Sequence, residues 1–183
     1  GVCGKRADGR MAWWAVLLLL PYLLLTWAVW HLQRLLGRED CCNQVAPGLW
    51  VGRRAFLKEL PAGATLVVDL TAEFPAPRGV AQGRTYCCLP VLDALAVDEN
   101  ALRPLVDRIA AWPGTVYIHC ALGHGRSAMV AAAVLLARGL ADDVEQAEAI
   151  LRQARPGVRL KKSQRRLLER LTVARQQQGK PGA

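Results

Sequence analysis

The sequence predicts an α/β fold with a largely parallel central sheet flanked by helices. Short apolar, β-prone segments alternate with longer segments of helical periodicity. Such alternation is typical of chains in which helices connect neighbouring parallel strands. The predicted strands cover residues 49–51, 66–70, 85–89 and 115–120, and the predicted helices cover residues 55–60, 99–111, 126–139, 143–154 and 163–177.

Local signals predict where several of these helices begin and end. Asp98 precedes the helix predicted over residues 99–111, and aspartate is a favoured N-cap residue. Gly139 is expected to end the helix that starts at residue 126, because glycine accepts the left-handed conformation common at helix C-termini. Asp142 is expected to cap the next helix. No internal repeat or long low-complexity tract interrupts this order.

An apolar run precedes the predicted α/β domain. Residues 12–30 carry no charge, and a helix of their length spans about 28 Å, close to the thickness of bilayer hydrocarbon. Its tryptophans lie near its two ends, as interfacial aromatic residues do, and Pro21 predicts a kink. We therefore expect a transmembrane helix over residues 12–36. A signal peptide fits less well, because no small-residue cleavage site follows, and a buried core helix is the third alternative.

The remaining boundaries follow from this assignment. Residues 1–11 form a basic segment, residues 37–44 a juxtamembrane linker, residues 45–178 the α/β domain and residues 179–183 a disordered tail. The first residue is Gly1, so further membrane spans could precede it. We therefore expect a membrane protein with one or several spans. The net charge of +9 suits an anionic substrate or membrane surface. Nucleic acid is not an expected partner, because no aromatic residues interleave with the basic ones.

One nine-residue segment, residues 119–127, carries the strongest functional signal. In it a cysteine, five further residues and an arginine follow a β-prone run and precede an apolar helical pattern. The first N–H groups of a helix have no partners within the helix, so a loop that opens a helix provides an anion site. A phosphate bound there would meet a thiol and a guanidinium. The cysteine loop, as we name it, consists of Cys120, Ala121, Leu122, Gly123, His124, Gly125 and Arg126.

Each reactive residue type suits this position. The helix dipole and the N–H groups would lower the pKa of Cys120 from about 8.5 to roughly 3.5–7.5, so that the thiolate is populated at neutral pH. Arg126 can bind two phosphate oxygens through its planar guanidinium. Gly123 and Gly125 allow positive φ angles that turn successive amides toward an anion. His119 is expected to orient the loop through backbone contacts. The alternative interpretation makes Cys120 a buried structural thiol within an ordinary turn.

The pattern His119-Cys120-x-x-Gly-x-Gly-Arg126-Ser127 resembles the signature of the cysteine-dependent protein tyrosine phosphatase superfamily, and of the compact dual-specificity phosphatases in particular. The resemblance covers about residues 43–178, including residues 48–52 and the turn at 155–157. It implies a dual-specificity-phosphatase-like fold with Cys120 as nucleophile, Arg126 as phosphate clamp and Ser127 assisting hydrolysis of the phosphocysteine. It also implies catalysis without a metal ion or other cofactor.

The resemblance further implies a general acid on a loop before the cysteine. Protonation of the leaving-group oxygen typically contributes about 10²–10⁴-fold. Asp93 ends a Pro-x-x-Asp tract, residues 90–93, that resembles the acid loop of the mitochondrial lipid-phosphate branch of the family. Asp98 is the alternative, although its position suits an N-cap. Asp69 and Glu73, near the end of a predicted strand, either line the cleft or have only a structural role.

The cysteines bear on the compartment. Cys41-Cys42 and Cys87-Cys88 are adjacent pairs, and none of the spacings predicts a zinc site or a disulfide framework. A catalytic thiolate oxidises readily and needs a reducing compartment. We therefore expect the domain to face the cytoplasm, although the flanking charges do not determine the orientation.

These observations predict a membrane-anchored phosphatase whose substrate is a phosphorylated protein or a phospholipid. The variable loop residues Ala121, Leu122 and His124 carry no lysine or arginine to match the extra phosphates of an inositol ring, which favours phosphotyrosine, phosphoserine or phosphothreonine in a protein. The membrane segment and the Pro-x-x-Asp tract favour a lipid phosphate. A non-catalytic pseudophosphatase is the alternative of another class, but Cys120 and Arg126 are both retained. Other folds with the Cys-x5-Arg spacing fit less well, because here several strands precede the loop.

Overall fold

A single mixed sheet forms the centre of the computed structural model, which describes residues 2–92 and 97–178. The sheet order in this part of the chain is β1-β2-β5-β3-β4. The β1–β2 pair is antiparallel and the other three pairs are parallel. The predicted α/β fold with a largely parallel sheet is therefore confirmed. The strands are β1 (Cys42–Ala46), β2 (Leu49–Gly52), β3 (Ala64–Thr71), β4 (Thr85–Val91) and β5 (Thr115–His119).

Four helices cover one side of the domain: α4 and α5 contact the sheet, and α3 and α6 pack against α4. Each agrees with a predicted helix to within two residues at either end. α4 is the most buried helix, because its Ala-rich sequence lets it lie between the sheet and its neighbours, α3, α5 and α6. Its side chains and the apolar side chains of β3 and β5 form one core. The four helices are α3 (Glu99–Ala110), α4 (Arg126–Ala137), α5 (Val144–Ala154) and α6 (Lys162–Gln178).

Two short segments differ from their predictions. The helix predicted over residues 55–60 is wrong, because this segment contains only the 3₁₀ turn Leu57–Glu59. Phe56 is extended before that turn, and Leu60 is extended after it, as is usual for a residue that precedes a proline. β1 begins at Cys42, within the predicted linker over residues 37–44. Residues 179–183, predicted as a disordered tail, lie outside the described residues.

The apolar run is not one transmembrane helix. It forms α1 (Trp13–Leu18) and α2 (Leu20–Leu36), separated at Leu19, whose φ of −99° and ψ of 9° are not helical. Pro21 explains the break, because in a continuous helix its ring would clash with the carbonyl of Leu17 and it has no N–H to donate. Within residues 2–92 and 97–178, no helix is both long enough and apolar enough to cross a bilayer.

Instead, α2 lies against the α/β domain. The side chains that face the domain are Leu23, Trp27, Trp30 and Arg34, spaced four, three and four residues apart as one helical stripe. Leu23 and Trp30 are fully or almost fully buried. The indole N–H of Trp27 donates to the carbonyl oxygen of Glu73 at 2.9 Å, and that of Trp30 donates to the carbonyl oxygen of Ala121 at 2.8 Å. This contact places α2 beside the cysteine loop.

Candidate active site

The cysteine loop connects the end of β5 at His119 with the start of α4 at Arg126. The Cys120 side chain is buried at this junction, at the carboxyl end of the parallel strands. Its sulfur accepts a hydrogen bond from the backbone N–H of Gly123 at 3.2 Å and lies 3.3 Å from the Ser127 hydroxyl. The structure thus brings Cys120, Gly123 and Ser127 together as the sequence predicted.

The surroundings of Cys120 favour its ionised form. Burial alone would raise the pKa of the thiol, because it disfavours a charged sulfur. The positive charge of Arg126, hydrogen bonds from Ser127 and the backbone N–H of Gly123 outweigh burial and hold the pKa of Cys120 below its ordinary value. A lowered thiol pKa means that more thiolate is present at neutral pH, which is the state required for nucleophilic attack.

Only one of the two loop glycines has the predicted positive φ. Gly123 has φ +84°, and a Cβ there would lie 2.5 Å from the backbone carbon of Gly52, at the end of β2. A side chain at position 123 would therefore force the loop away from the sheet. Gly125 has φ −116°, so the positive φ expected for it is wrong. It is the N-cap residue of α4, where glycine is tolerated.

Glu73 fixes the orientation of Arg126. The two guanidinium nitrogens Nη2 and Nη1 donate to the two carboxylate oxygens of Glu73 at 2.6 and 2.9 Å. Nη1 also donates to the carbonyl oxygen of Val91 at 2.6 Å. This two-point ion pair, which is almost fully buried, holds the guanidinium at the carboxyl ends of β3 and β4. Of the two interpretations of Glu73, the structure supports a position in the site.

Three residues that sequence analysis did not connect with the loop hold its backbone. The N–H of Arg54 donates to the carbonyl oxygen of Ala121 at 3.1 Å, and the guanidinium of Arg155 donates to that of Leu122 at 2.9 Å. Trp30 of α2 shares the Ala121 carbonyl. These contacts join residues far apart in the chain, and no local sequence signal identifies them.

A basic cleft of about 330 Å³ borders the loop on the side of His124. His124 lies 2.5 Å from a carboxylate oxygen of Glu39, and Glu39 also pairs with Arg155 at 3.1 Å. His124 therefore forms part of the wall of this cleft. The cleft adds arginines that the loop sequence itself does not supply, and it is lined by Gln33, Arg34, Gly37, Glu39, Arg53, Leu122, His124 and Arg155.

Behind the loop lies a buried polar network centred on Asp69. The ammonium group of Lys5, itself fully buried, donates to Asp69 at 2.7 Å and to the carbonyl and hydroxyl oxygens of Thr71 at 2.8 and 2.9 Å. The Tyr86 hydroxyl donates to Asp69 at 2.6 Å. Burial would raise the pKa of Asp69, but His119, Lys5 and Tyr86 hold it at about 2. Asp69 therefore has a structural role, whereas Glu73 binds the arginine of the cysteine loop.

His119 joins this network to the cysteine loop. One ring nitrogen lies 3.9 Å from an oxygen of Asp69, and the other lies 3.4 Å from the carbonyl oxygen of Cys120. Burial lowers the pKa of His119, so its ring is neutral at pH 7. This geometry suits a residue that orients the loop through a backbone contact, the role predicted from the sequence.

Of the two aspartates considered as general acid, the structure describes Asp98 but not Asp93. Asp98 is the N-cap of α3, and its carboxylate accepts the backbone N–H of Asn100 at 3.1 Å. The prediction of Asp98 as a cap is therefore confirmed. Asp93 lies outside the described residues, so its role stays a prediction. Among the residues that the structure describes, no cluster of His, Cys, Asp and Glu side chains could hold a metal ion.

The mixed sheet, the buried thiol at a helix N-terminus and the paired arginine define a phosphatase-type α/β domain. Residues 52–178 match the family model described as "Swiss Army Knife protein, DSP-PTPase phosphatase domain". The chain therefore belongs to this dual-specificity-type phosphatase family. A comparison with curated protein sequences gives no significant match.

Several solved structures are similar to this chain. Human DUSP28 is 28% identical, with a TM-score of 0.66 over 75% of this chain and 97% of that chain. The human tyrosine phosphatase-like serine/threonine/tyrosine-interacting protein is 19% identical, with a TM-score of 0.67 over 75% and 99% of the two chains. PTPMT1 in complex with PI(5)P is 18% identical, with a TM-score of 0.66 over 77% and 100%. The last two similarities concern the fold alone.

Proposed function

We propose that this chain hydrolyses phosphate monoesters through a phosphocysteine intermediate on Cys120. The observation that carries the proposal is the environment of the Cys120 sulfur, which has a lowered pKa, a backbone N–H donor and a serine hydroxyl within 3.3 Å. Membership of a phosphatase family supports the same conclusion. A buried structural thiol would need neither an ionising environment nor a neighbouring arginine.

The reaction has two displacement steps. In the first, the Cys120 thiolate attacks phosphorus, the P–O bond to the leaving group breaks, and the leaving oxygen takes a proton from the general acid, proposed as Asp93. The Arg126 guanidinium binds the equatorial phosphate oxygens and offsets the charge that spreads onto them. In the second, water attacks phosphorus and gives a proton to the Asp93 carboxylate, and the S–P bond breaks, which releases inorganic phosphate and restores the thiolate and the general acid. The Ser127 hydroxyl donates to the departing sulfur.

A phosphorylated protein is the first candidate substrate, because the cysteine loop carries no cation besides Arg126 to match a second phosphate. A lipid phosphate is the second candidate, and two observations favour it. The helix α2, which carries exposed apolar side chains, contacts the loop through Trp30, and the bordering cleft contains Arg34, Arg53 and Arg155. PTPMT1, a structural neighbour, was crystallised with PI(5)P.

The proposal is tested by phosphate release from p-nitrophenyl phosphate, catalysed by the whole chain with EDTA present. We expect turnover to persist in EDTA. In a parallel assay without EDTA, which would chelate vanadate, we expect orthovanadate to inhibit turnover, because vanadate mimics the five-coordinate phosphorus of the transition state. The same preparation is then given a phosphotyrosine peptide and a water-soluble phosphatidylinositol phosphate, and the two kcat/KM values rank the substrate classes. Binding of the phosphopeptide without any release of phosphate would instead favour the pseudophosphatase.

The general acid is tested with leaving groups of different basicity. We expect Asp93→Ala to lower kcat on an alkyl phosphate by about 10²–10⁴-fold and to lower it far less on p-nitrophenyl phosphate, whose leaving group needs no proton. Asp98→Ala is the matched control. Loss of its N-cap bond should lower the free energy of unfolding by about 1 kcal/mol without selective loss on the alkyl substrate. A selective loss in Asp98→Ala alone would reverse the assignment.

A further inference from the structure

The helices α1 and α2 carry an apolar surface that the α/β domain does not cover. Of the large apolar side chains that are exposed in residues 2–92 and 97–178, twelve of sixteen lie between Trp13 and Leu36. Together they expose on the order of 1,000 Å², beyond the roughly 300–600 Å² of the largest apolar patch on a typical monomer. A surface of this size marks an interaction site.

The exposed side chains form a defined face of α2. The inward stripe contains Leu23 and Trp30, which are 0% and 2% exposed, and is held in place by the two tryptophan hydrogen bonds. On the opposite side, Leu25, Leu32 and Leu36 are 66%, 56% and 73% exposed and recur at helical spacing. We name this side, together with the exposed side chains of α1, the outward face. Both sides of α2 are thus apolar, but within residues 2–92 and 97–178 only the inward stripe is covered by the domain.

We propose that the outward face docks on an anionic phospholipid bilayer, with α1 and α2 lying in the plane of the membrane. The break at Leu19 leaves helices of six and seventeen residues, about 9 and 26 Å long, and each is shorter than the roughly 30 Å of bilayer hydrocarbon. A short helix with exposed leucines and tryptophans and with basic flanks is typical of interfacial binding.

Charge also favours an anionic lipid surface. No Asp, Glu, Lys or Arg lies between Ala12 and Gln33, so the helices themselves bring no charge into the bilayer. Exposed Arg6 precedes them and exposed Arg38 follows them, and neither forms a salt bridge with the residues that the structure describes. Of the acidic residues on these flanks, Asp8 pairs with Arg10 and Glu39 pairs with Arg155, while Asp40 directly follows Glu39. Each basic residue near an anionic membrane contributes about 1 kcal/mol of attraction, and the net charge of +9 acts in the same direction.

A protein partner fits the outward face less well. Protein interfaces carry about one hydrogen bond for every 100–200 Å², and this face offers few groups that could form them. The hydroxyl of Thr26 already donates to the carbonyl oxygen of Tyr22 at 2.8 Å. Hydrocarbon requires no such partners. Because a helix is about 10–12 Å across, docking through α2 would hold the cysteine loop within about one helix diameter of the bilayer surface.

The test is flotation of the whole chain with phosphatidylcholine vesicles, prepared with and without phosphatidylserine. We expect the chain to float with both and to bind the anionic vesicles more tightly. The Leu25→Glu/Leu32→Glu variant should lose about 100-fold in affinity, because two leucines no longer enter the hydrocarbon. Leu140→Glu and Val173→Glu are matched controls: these residues are also exposed, but Leu140 follows α4 and Val173 lies on α6, outside the outward face, and the variants should bind like the wild type.

Three results would overturn the proposal. The first is absence of vesicle binding by the wild type, or equal binding by the double variant. The second is a dimer in vesicle-free solution that the double variant dissociates, which would identify a second copy as the occupant. The third is protection of an N-terminal tag from protease inside sealed vesicles, which would identify a span. Hydrolysis of p-nitrophenyl phosphate is measured in parallel and should be equal in all variants, so loss of docking and failure of the proposed function are distinguishable.

Discussion

The Cys120→Ser variant is expected to hydrolyse p-nitrophenyl phosphate at least about 10⁴-fold more slowly than the wild type, because removal of an enzymatic nucleophile costs several orders of magnitude. The surroundings that lower the pKa of the Cys120 thiol still leave a serine hydroxyl protonated, so the serine cannot replace the thiolate as nucleophile at neutral pH. The substitution changes one atom, and the hydrogen bond from Gly123 can be retained. Steady-state kcat and KM report the effect, and KM should change little because Arg126 is intact.

Cys88→Ser is the matched control for this substitution. Cys88 lies on β4 and is half-buried, and burial and the charge of Asp69 raise its pKa to about 11. Its thiol is therefore protonated at neutral pH, whereas the pKa of Cys120 is lowered. We expect the Cys88→Ser variant to keep the activity of the wild type. In the wild type, we expect iodoacetate at pH 7 to alkylate Cys120 before Cys88, and we expect vanadate to protect Cys120 from alkylation. Near-wild-type turnover by Cys120→Ser would show that another residue is the nucleophile.

The parts of the site that the sequence predicts are local. A β-prone run, a loop with one cysteine and one arginine, and an apolar helix are adjacent in the chain, so their order alone places Cys120 at a helix N-terminus. The N-cap at Asp98 is local in the same way, since its bond reaches Asn100, two residues on. The positive φ of Gly123 also follows from the need to turn the loop, although the same argument fails at Gly125.

The contacts that the sequence does not predict span most of the chain. Trp27 and Trp30 bind backbone carbonyls 46 and 91 residues away. In a uniformly apolar run, periodicity cannot distinguish the stripe that faces the domain from the one that faces outward, so a transmembrane helix was the natural expectation. The position of Pro21 indicates where a continuous helix must break. The ion pair between Arg126 and Glu73 is also non-local, because it forms only where the sheet places β3 next to β5.

The burial of Lys5 could not be predicted for a similar reason, since its partners lie 64 and 66 residues away. Substitution of Lys5 has the largest expected effect on stability. A lysine in a basic N-terminal segment is ordinarily solvated, yet the three ammonium donors of Lys5 all bond to Asp69 and Thr71 in the interior. Lys5→Met keeps the length of the side chain and removes its charge, which leaves the Asp69 carboxylate buried without its cation. We expect the free energy of unfolding in urea at pH 7 to fall by about 3–5 kcal/mol.

Arg10→Met is the matched control for Lys5→Met, since Arg10 is exposed and belongs to the same segment; its stability should change little. The double variant Lys5→Met/Asp69→Asn should recover part of the loss, because no buried charge remains. The effect also depends on pH. Asp69 has a pKa of about 2 in the folded chain and about 3.9 when unfolded, so its contribution is complete above about pH 4 and is lost as the pH falls toward 2. A difference between Lys5→Met and wild type that stayed constant through this range would show that lost packing, rather than the ion pair, explains the destabilisation.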